Sequence, residues 1–171
     1  MIPSDAWPAV AILSIKQIEK AQGHGMSQNL EKLIQAVPGV VYQFRMAPTG
    51  EWHFPYLSEG VRDLYEYTPE AVYADASIMG ACVVEEDAPA LWHSLQLSVD
   101  GLIPWVHEFR ITTPGGVLKW VRGQAMPERL DDGAILWSGI LVDISERKTA
   151  EMRLLRLQKL YAAVIEANRL I

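Results

Sequence analysis

Three long segments near the C-terminal end limit the folds open to this chain. Trp105 to Thr112, Val117 to Arg129 and Ala134 to Asp143 are rich in β-branched and aromatic residues at period two, with only short turns between them. Pro114-Gly115-Gly116 and Asp131-Asp132-Gly133 read as those turns, since Gly supplies the positive φ of a tight reversal and Pro or Asp favours the positions before it. Strands joined so closely run antiparallel, so the three form a meander. Alternation then sorts the side chains by face. Trp105, His107, Phe109 and Ile111 share one face of their strand, Leu118, Trp120 and Arg122 one of the next, and Trp137, Gly139 and Leu141 one of the last.

A second period-two block lies upstream. Val40 to Met46 reads as a strand with Tyr42 and Phe44 on one face, Ala47-Pro-Thr-Gly50 as a turn, and Glu51 to Ser58 as the hairpin partner. Pro55 removes a ladder donor from that partner, which suits a sheet edge. Residues 59–100 read as short helices and loops, with Pro69 at one helix start. The longest helix runs from Asp87 to Val99 behind an acidic first turn, Glu85-Glu86-Asp87, with Leu91, Trp92, Leu95 and Val99 inward. Gly101 ends it. Two strands, a helical middle and three more strands make an α+β domain, a five-stranded antiparallel sheet with short helices on one face and a natural pocket between.

The chain divides into residues 1–26, 27–145 and 146–171. In the first, Ser4-Asp5 and Pro8 open a helix carrying Val10, Leu13, Ile15 and Ile18, expected to pack on the domain or on a second copy, and Gly23-His24-Gly25 stops it. Ser27 opens a short helix, Gln28 to Ala36, with Leu30, Leu33 and Ile34 on one face. At the other end, the last strand runs into Asp143-Ile144-Ser145 and a charged helix follows with almost no linker. Asp143 or Ser145 is an N-cap candidate, and Arg147 lies in the first turn. A strand welded to a helix by a polar cap is a mechanical joint, and Asp143, Ile144, Ser145 and Arg147 are its candidate transmission residues. Along the helix, Ala150, Leu154, Leu157, Tyr161, Val164, Asn168 and Ile171 follow a 4-3-4-3-4-3 spacing, the seam of a parallel coiled-coil homodimer, with Asn168 as a register-fixing polar position. Leu155, Leu160 and Ile165 widen the stripe, so packing back on the sheet is the alternative. The pattern still runs at Arg169-Leu-Ile171, which predicts continuation into an output domain.

Composition narrows the functions. A net charge of −6 leaves no basic stripe for nucleic acid. No apolar run approaches the ~20 residues of a membrane span, and Met1 is not followed by a signal peptide, so a cytoplasmic setting is expected. Cys82 is the single cysteine, which fits that setting and excludes a cysteine-rich zinc site. There is no Gly-x-Ser-x-Gly elbow, phosphate loop or His-Glu-x-x-His, and His24, His53, His93 and His107 show no metal-ligand spacing. Neither an enzyme nor a metal site is expected. Tyr42, Tyr56, His107, Trp120 and Arg122 are the polar-tipped residues best placed to fix a small molecule in a pocket. For Arg122 a cross-strand ion pair with Glu108 is the competing reading.

From Leu30 to Lys148 the chain resembles a PAS domain with its C-terminal PAC segment, a sensory module of bacterial signalling proteins. The resemblance rests on Tyr56-Leu-Ser-Glu-Gly-Val-Arg-Asp-Leu64, Tyr67-Thr-Pro-Glu70, Glu108-Phe-Arg-Ile111, Gly115-Gly116, Trp120-Val121, Asp132-Gly133 and Gly139-Ile-Leu-Val-Asp-Ile-Ser-Glu-Arg-Lys148. Glu66 departs from it, standing where many members carry Gly, and Val84-Glu85 replaces a His-Pro pair. The resemblance implies a non-catalytic sensor passing a ligand's or partner's signal to its C-terminal helix, with a ligand-free interaction module as the alternative. It also raises two cofactors. In haem-binding relatives the proximal ligand comes from the long helix, which nominates His93, although Leu91, Trp92 and Leu95 compete there for the interior. Light-sensing relatives carry a flavin-reactive thiol in an Asn-Cys-Arg-Phe-Leu-Gln run; Met79-Gly-Ala-Cys-Val-Val84 lacks it, and Cys82 reads as a small buried hydrophobe. Leu160-Tyr-Ala-Ala-Val-Ile-Glu-Ala-Asn-Arg169 is similar to connectors in cyclic-di-nucleotide signalling proteins.

Overall fold

The computed structural model describes residues 32–169, with side chains to residue 167. The helix expected within residues 1–26 and the start of the one expected from Gln28 lie outside the described residues. The elements are β1 (Val40–Met46), β2 (Trp52–Leu57), α1 (Val61–Tyr65), α2 (Pro69–Ala74), α3 (Ser77–Ala81), α4 (Ala88–Gly101), β3 (Trp105–Thr112), β4 (Leu118–Arg129), β5 (Ile135–Asp143) and α5 (Ser145–Arg169). The strands make one five-stranded sheet in the order β2-β1-β5-β4-β3, with every pairing antiparallel. The two hairpin blocks therefore join through β1 and β5. β5 is the strand best suited to the centre, because Ile135-Leu-Trp-Ser-Gly-Ile-Leu-Val142 is apolar on both faces.

One sheet face carries the main core. Val40, Tyr42 and Phe44 of β1 stand opposite Leu141, Gly139 and Trp137 of β5. Phe109 and Ile111 of β3 extend that layer, and Leu91 and Leu95 of α4 close over it. Trp105 lies flat across Gly123, where an added Cβ would come within 2.3 Å of its ring. α4 is tied down by two hydrogen bonds as well as by packing. Trp105 Nε1 donates to Ser94 Oγ at 2.8 Å, and Trp137 Nε1 donates to Ser98 Oγ at 3.0 Å. Ser94 and Ser98 are four residues apart, hence on one helix face. Their hydroxyls donate in turn to the Leu91 and Ile103 carbonyls, both at 2.7 Å.

The local chemistry follows the sequence at most boundaries and departs from it at a few. Pro55 does lie on an edge strand, at a bulge between the Gln43↔Tyr56 and Arg45↔His53 pairs that accommodates its missing donor. Leu33 is exposed and Ile34 packs against Val41, while Leu30, the third residue expected on that face, lies outside the described residues. Trp92 is not inward but 42% exposed. Glu85-Glu86-Asp87 is not an acidic first turn. α4 begins after it, and Asp87 turns its carboxylate to β3, accepting from Arg110 N, Nε and Nη2 at 2.8, 3.0 and 2.6 Å. Glu66 caps α1 in the left-handed region (φ 62°), a conformation that suits Gly, and its carboxylate accepts from Gly115 N at 2.8 Å.

Ser98 is 1% exposed, so Ser98→Ala strands the buried Trp137 indole N–H and takes the hydroxyl donor from the Ile103 carbonyl. An unsatisfied buried group costs roughly 1–3 kcal/mol, and a urea titration should show a loss of that size with an unchanged slope. A midpoint equal to the parent's would mean that apolar packing alone docks α4.

Candidate functional site

The aromatic interior and the root of α5 are places for chemistry on opposite faces of the sheet. The first is a cavity of about 90 Å³ between the sheet and α3–α4. Phe44, Trp52, Phe54, Leu95, Trp105 and Trp137 form much of its wall, and no charged side chain lines it. The rings run in series from the centre outward: Trp137 to Phe44 at 5.5 Å between centroids, Phe44 to Trp52 at 5.6 Å, and Trp52 to Trp92 at 6.0 Å. Trp92 thus stands at the mouth. Tyr42 and Tyr65 also line the cavity, and burial pushes both phenols far above their ordinary range.

The second place is the root of α5, on the opposite face. Ile144 N donates to the Trp120 carbonyl at 2.8 Å, which extends the β4–β5 ladder by one residue. Trp120 N donates to Ser145 Oγ at 2.9 Å, and Ser145 N donates to Asp143 Oδ1 at 2.8 Å. Asp143 thus takes the first helical N–H, while the Ser145 hydroxyl serves β4 rather than capping the helix. Ile144 is buried between them.

A charged anchor completes the root. Glu108 on β3 accepts from Arg147 Nη2 at 2.6 Å and from Lys148 Nζ at 2.6 Å, and Arg122 Nη1 is 3.4 Å away. The Lys148 ammonium also sits 4.7 Å from the centre of the Trp120 ring. Hydrogen bonding from Lys148, reinforced by Arg147, holds the Glu108 carboxyl below its ordinary range.

The five residues expected to share a pocket do not meet. Tyr42 and His107 are on the helix-covered face, and Tyr42 alone of the five lines the cavity. His107 lies half-buried between the Trp105 and Phe109 rings, each 6.4 Å away, and desolvation lowers its pKa. Tyr56 packs near Ile34 and Val41 on the other face. Trp120 and Arg122 are on that face too, in the α5 root, and Arg122 makes the cross-strand pair with Glu108. The shared pocket is therefore replaced by an aromatic cavity and a separate polar root. Sequence reading missed Tyr65, Ser94, Ser98 and the anchoring role of Glu108. The Ser94-to-Ser98 spacing on the Leu91/Leu95 face was the available signal.

Neither cofactor fits this arrangement. Sites for drug-sized ligands and cofactors span roughly 300–1,000 Å³, well above the 90 Å³ of the cavity between the sheet and α3–α4. His93 is exposed on α4 and does not line the cavity, so no haem ligand points inward from that position. Cys82 is buried in the core. Among the described residues no group of three His, Cys, Asp or Glu could hold a metal ion, and no helix is long and apolar enough to cross a membrane.

Beyond its root α5 leaves the domain. Its remaining turns are exposed, and Leu154, Leu157, Leu160, Tyr161, Val164 and Ile165 show 46–71% of their surface. The described part of the helix does not fold back onto the sheet. The side chain of Asn168 and the whole of Ile171, the last two expected seam positions, lie outside the described residues.

The PAS fold family matches residues 54–141, a little over half of the chain. No curated protein matches the chain. Similar solved structures include a sensory box histidine kinase/response regulator from Burkholderia thailandensis (14% identity, TM-score 0.58, covering 77% of this chain and 97% of that one). A PAS domain from Colwellia psychrerythraea is 18% identical with a TM-score of 0.53, over 71% of this chain and 98% of its own. The N-terminal domain of a diguanylate cyclase with a PAS/PAC sensor, from Marinobacter aquaeolei, is 15% identical with a TM-score of 0.52, over 63% and 98%. With the family matched from β2 into β5 and the same sheet and helices in place, the chain belongs to the PAS fold family.

Proposed function

We propose that this chain is the sensory module of a cytoplasmic bacterial signalling protein. It takes a signal between the sheet and its helices, and delivers it through Asp143-Ile144-Ser145 to α5, which pairs with α5 of a second copy. The observation that carries this reading is the contrast along α5. Its first turn is fixed by the Trp120–Ser145 and Glu108–Lys148 contacts, while the turns beyond it present an apolar stripe to solvent. A helix held only at its root takes its direction from the two strands that hold it. Its 25 residues reach about 37 Å, so a few degrees at the root become ångströms at the far end. An isolated helix with such a stripe gains most of its stability from a partner, and the spacing of Leu154, Leu157, Tyr161 and Val164 suits a two-stranded seam. The similar solved domains named for a histidine kinase and a diguanylate cyclase support a signalling context.

A ligand-free interaction module is the second reading, favoured by how far the aromatic rings fill the interior. The two differ in whether anything must enter the cavity, and they share the α5 output.

Spin labels at Gln158 on α5 and Glu51 in the β1–β2 turn measure that output directly. The parent should give a narrow distance distribution. Asp143→Ala and Glu108→Gln should broaden it while unfolding stability falls by no more than about 2 kcal/mol, the upper range for losing a helix cap or a part-exposed ion pair. Unchanged distributions in both would remove the root as the coupling element.

The same labels report on pH. Because the folded Glu108 carboxyl is held below its unfolded value of about 4.3, its contribution is complete above that value and lost as pH falls through the folded one. The distribution should hold from neutral pH down to about 5 and broaden only in more acid solution. Broadening near neutral pH would implicate a different group.

Pairing is tested by sedimentation. The parent should be dimeric and Leu157→Glu/Tyr161→Glu monomeric with its sheet intact by circular dichroism. A monomeric parent would end the paired-helix reading.

A further inference from the structure

We infer that the cavity takes a neutral molecule of about four or five non-hydrogen atoms, apolar over most of its surface, with one hydroxyl-sized polar group that meets the Tyr42–Tyr65 pair. This deepens the sensory reading and rests on it.

Size comes first. An apolar cavity of about 150 Å³ holds benzene, and the volume here is about 90 Å³. Charge comes next. No Lys, Arg, His, Asp or Glu lines the cavity, so an ion entering it would lose its hydration with no counter-charge, at a cost no small molecule recovers.

The polar group follows from which donors are free. The indole N–H groups of Trp105 and Trp137 are already held by Ser94 and Ser98. The hydroxyls of Tyr42 and Tyr65 make no hydrogen bond to a described residue, although these residues are only 4% and 2% exposed. No fully enclosed side-chain oxygen or nitrogen among the described residues is unpartnered. Both hydroxyls therefore open onto free space, and the cavity is the free space that both residues line. Each phenol both donates and accepts, so one guest hydroxyl satisfies either. Their proximity shows in their mutual influence, since Tyr65 adds to the burial that opposes ionisation of Tyr42.

Three probes of one shape separate these requirements: isobutanol, isobutane and isobutylammonium. Each is titrated into the ¹⁵N-labelled chain while the Trp105 and Trp137 indole resonances are followed. Isobutanol should give saturable shifts at both indoles, isobutane should bind more weakly, and isobutylammonium should give none. Tyr42→Phe/Tyr65→Phe should weaken isobutanol roughly fivefold, the size of one net hydrogen bond, and leave isobutane unchanged. Saturable binding of the ammonium, or equal isobutanol affinity in the double variant, would overturn the inference, as would the absence of binding by any probe. The sensory reading is judged separately by the α5 spin labels. If isobutanol binds as described and the labels do not respond, the ligand class stands and its coupling to α5 falls. If no probe binds but Asp143→Ala still frees α5, the ligand class falls and the output joint stands.

Discussion

The burial of Trp137 is the constraint on which the rest of this domain depends. Its side chain is fully enclosed at the centre of the sheet, opposite Phe44 of β1 and beneath α4. An enclosed indole brings a large apolar surface and one N–H that must find an acceptor. Ser98 supplies that acceptor from the helix, which sets both the distance of α4 from the sheet and its rotation. Once α4 is fixed, Ser94 is in register for Trp105, and Trp105 in turn requires that β4 carry Gly123 beneath it. One buried ring thus links β1, β5, α4, β3 and β4.

That arrangement also determines what the interior can do. Filling it with rings joins the two hairpin blocks into one sheet, but leaves about 90 Å³ of open volume. A cofactor site would need a smaller residue at 105 or 137, and either change would free a serine that now holds an indole. The tightness of α4 and the size of the cavity are thus one property.

The strands and their faces were legible in the sequence because period-two alternation and Gly-containing turns are local signals, and Val40–Met46 and Trp105–Thr112 fall where the pattern puts them. Which face meets the helices was not legible, since that depends on β1 pairing with β5 across almost a hundred intervening residues. Without it, Tyr42 and Trp120 look equally suited to a pocket, although the sheet separates them. Asp87 shows the same limit in reverse. Its place before a helix suggests a cap, but Arg110 on β3 offers three donors, two from its guanidinium and one from its backbone N–H, against the one that a helix terminus would present. Local rules lose wherever a distant partner binds more strongly.

The α5 root works by the opposite principle from the core. Its contacts are a ladder extension, one hydroxyl, the Asp143 carboxylate and part-exposed ion pairs, each worth about 2 kcal/mol or less. Contacts of that strength can exchange on a small change in strand position without unfolding anything, whereas the Trp137 cluster cannot. A change at the cavity wall would reach the root through β5, whose Trp137 and Leu141 line the cavity and whose last residue, Asp143, takes the first N–H of the helix. The strand spans a rigid end and a weak end. On the proposed reading, strain introduced at the rigid end would be released where the resistance is least, which is where α5 begins.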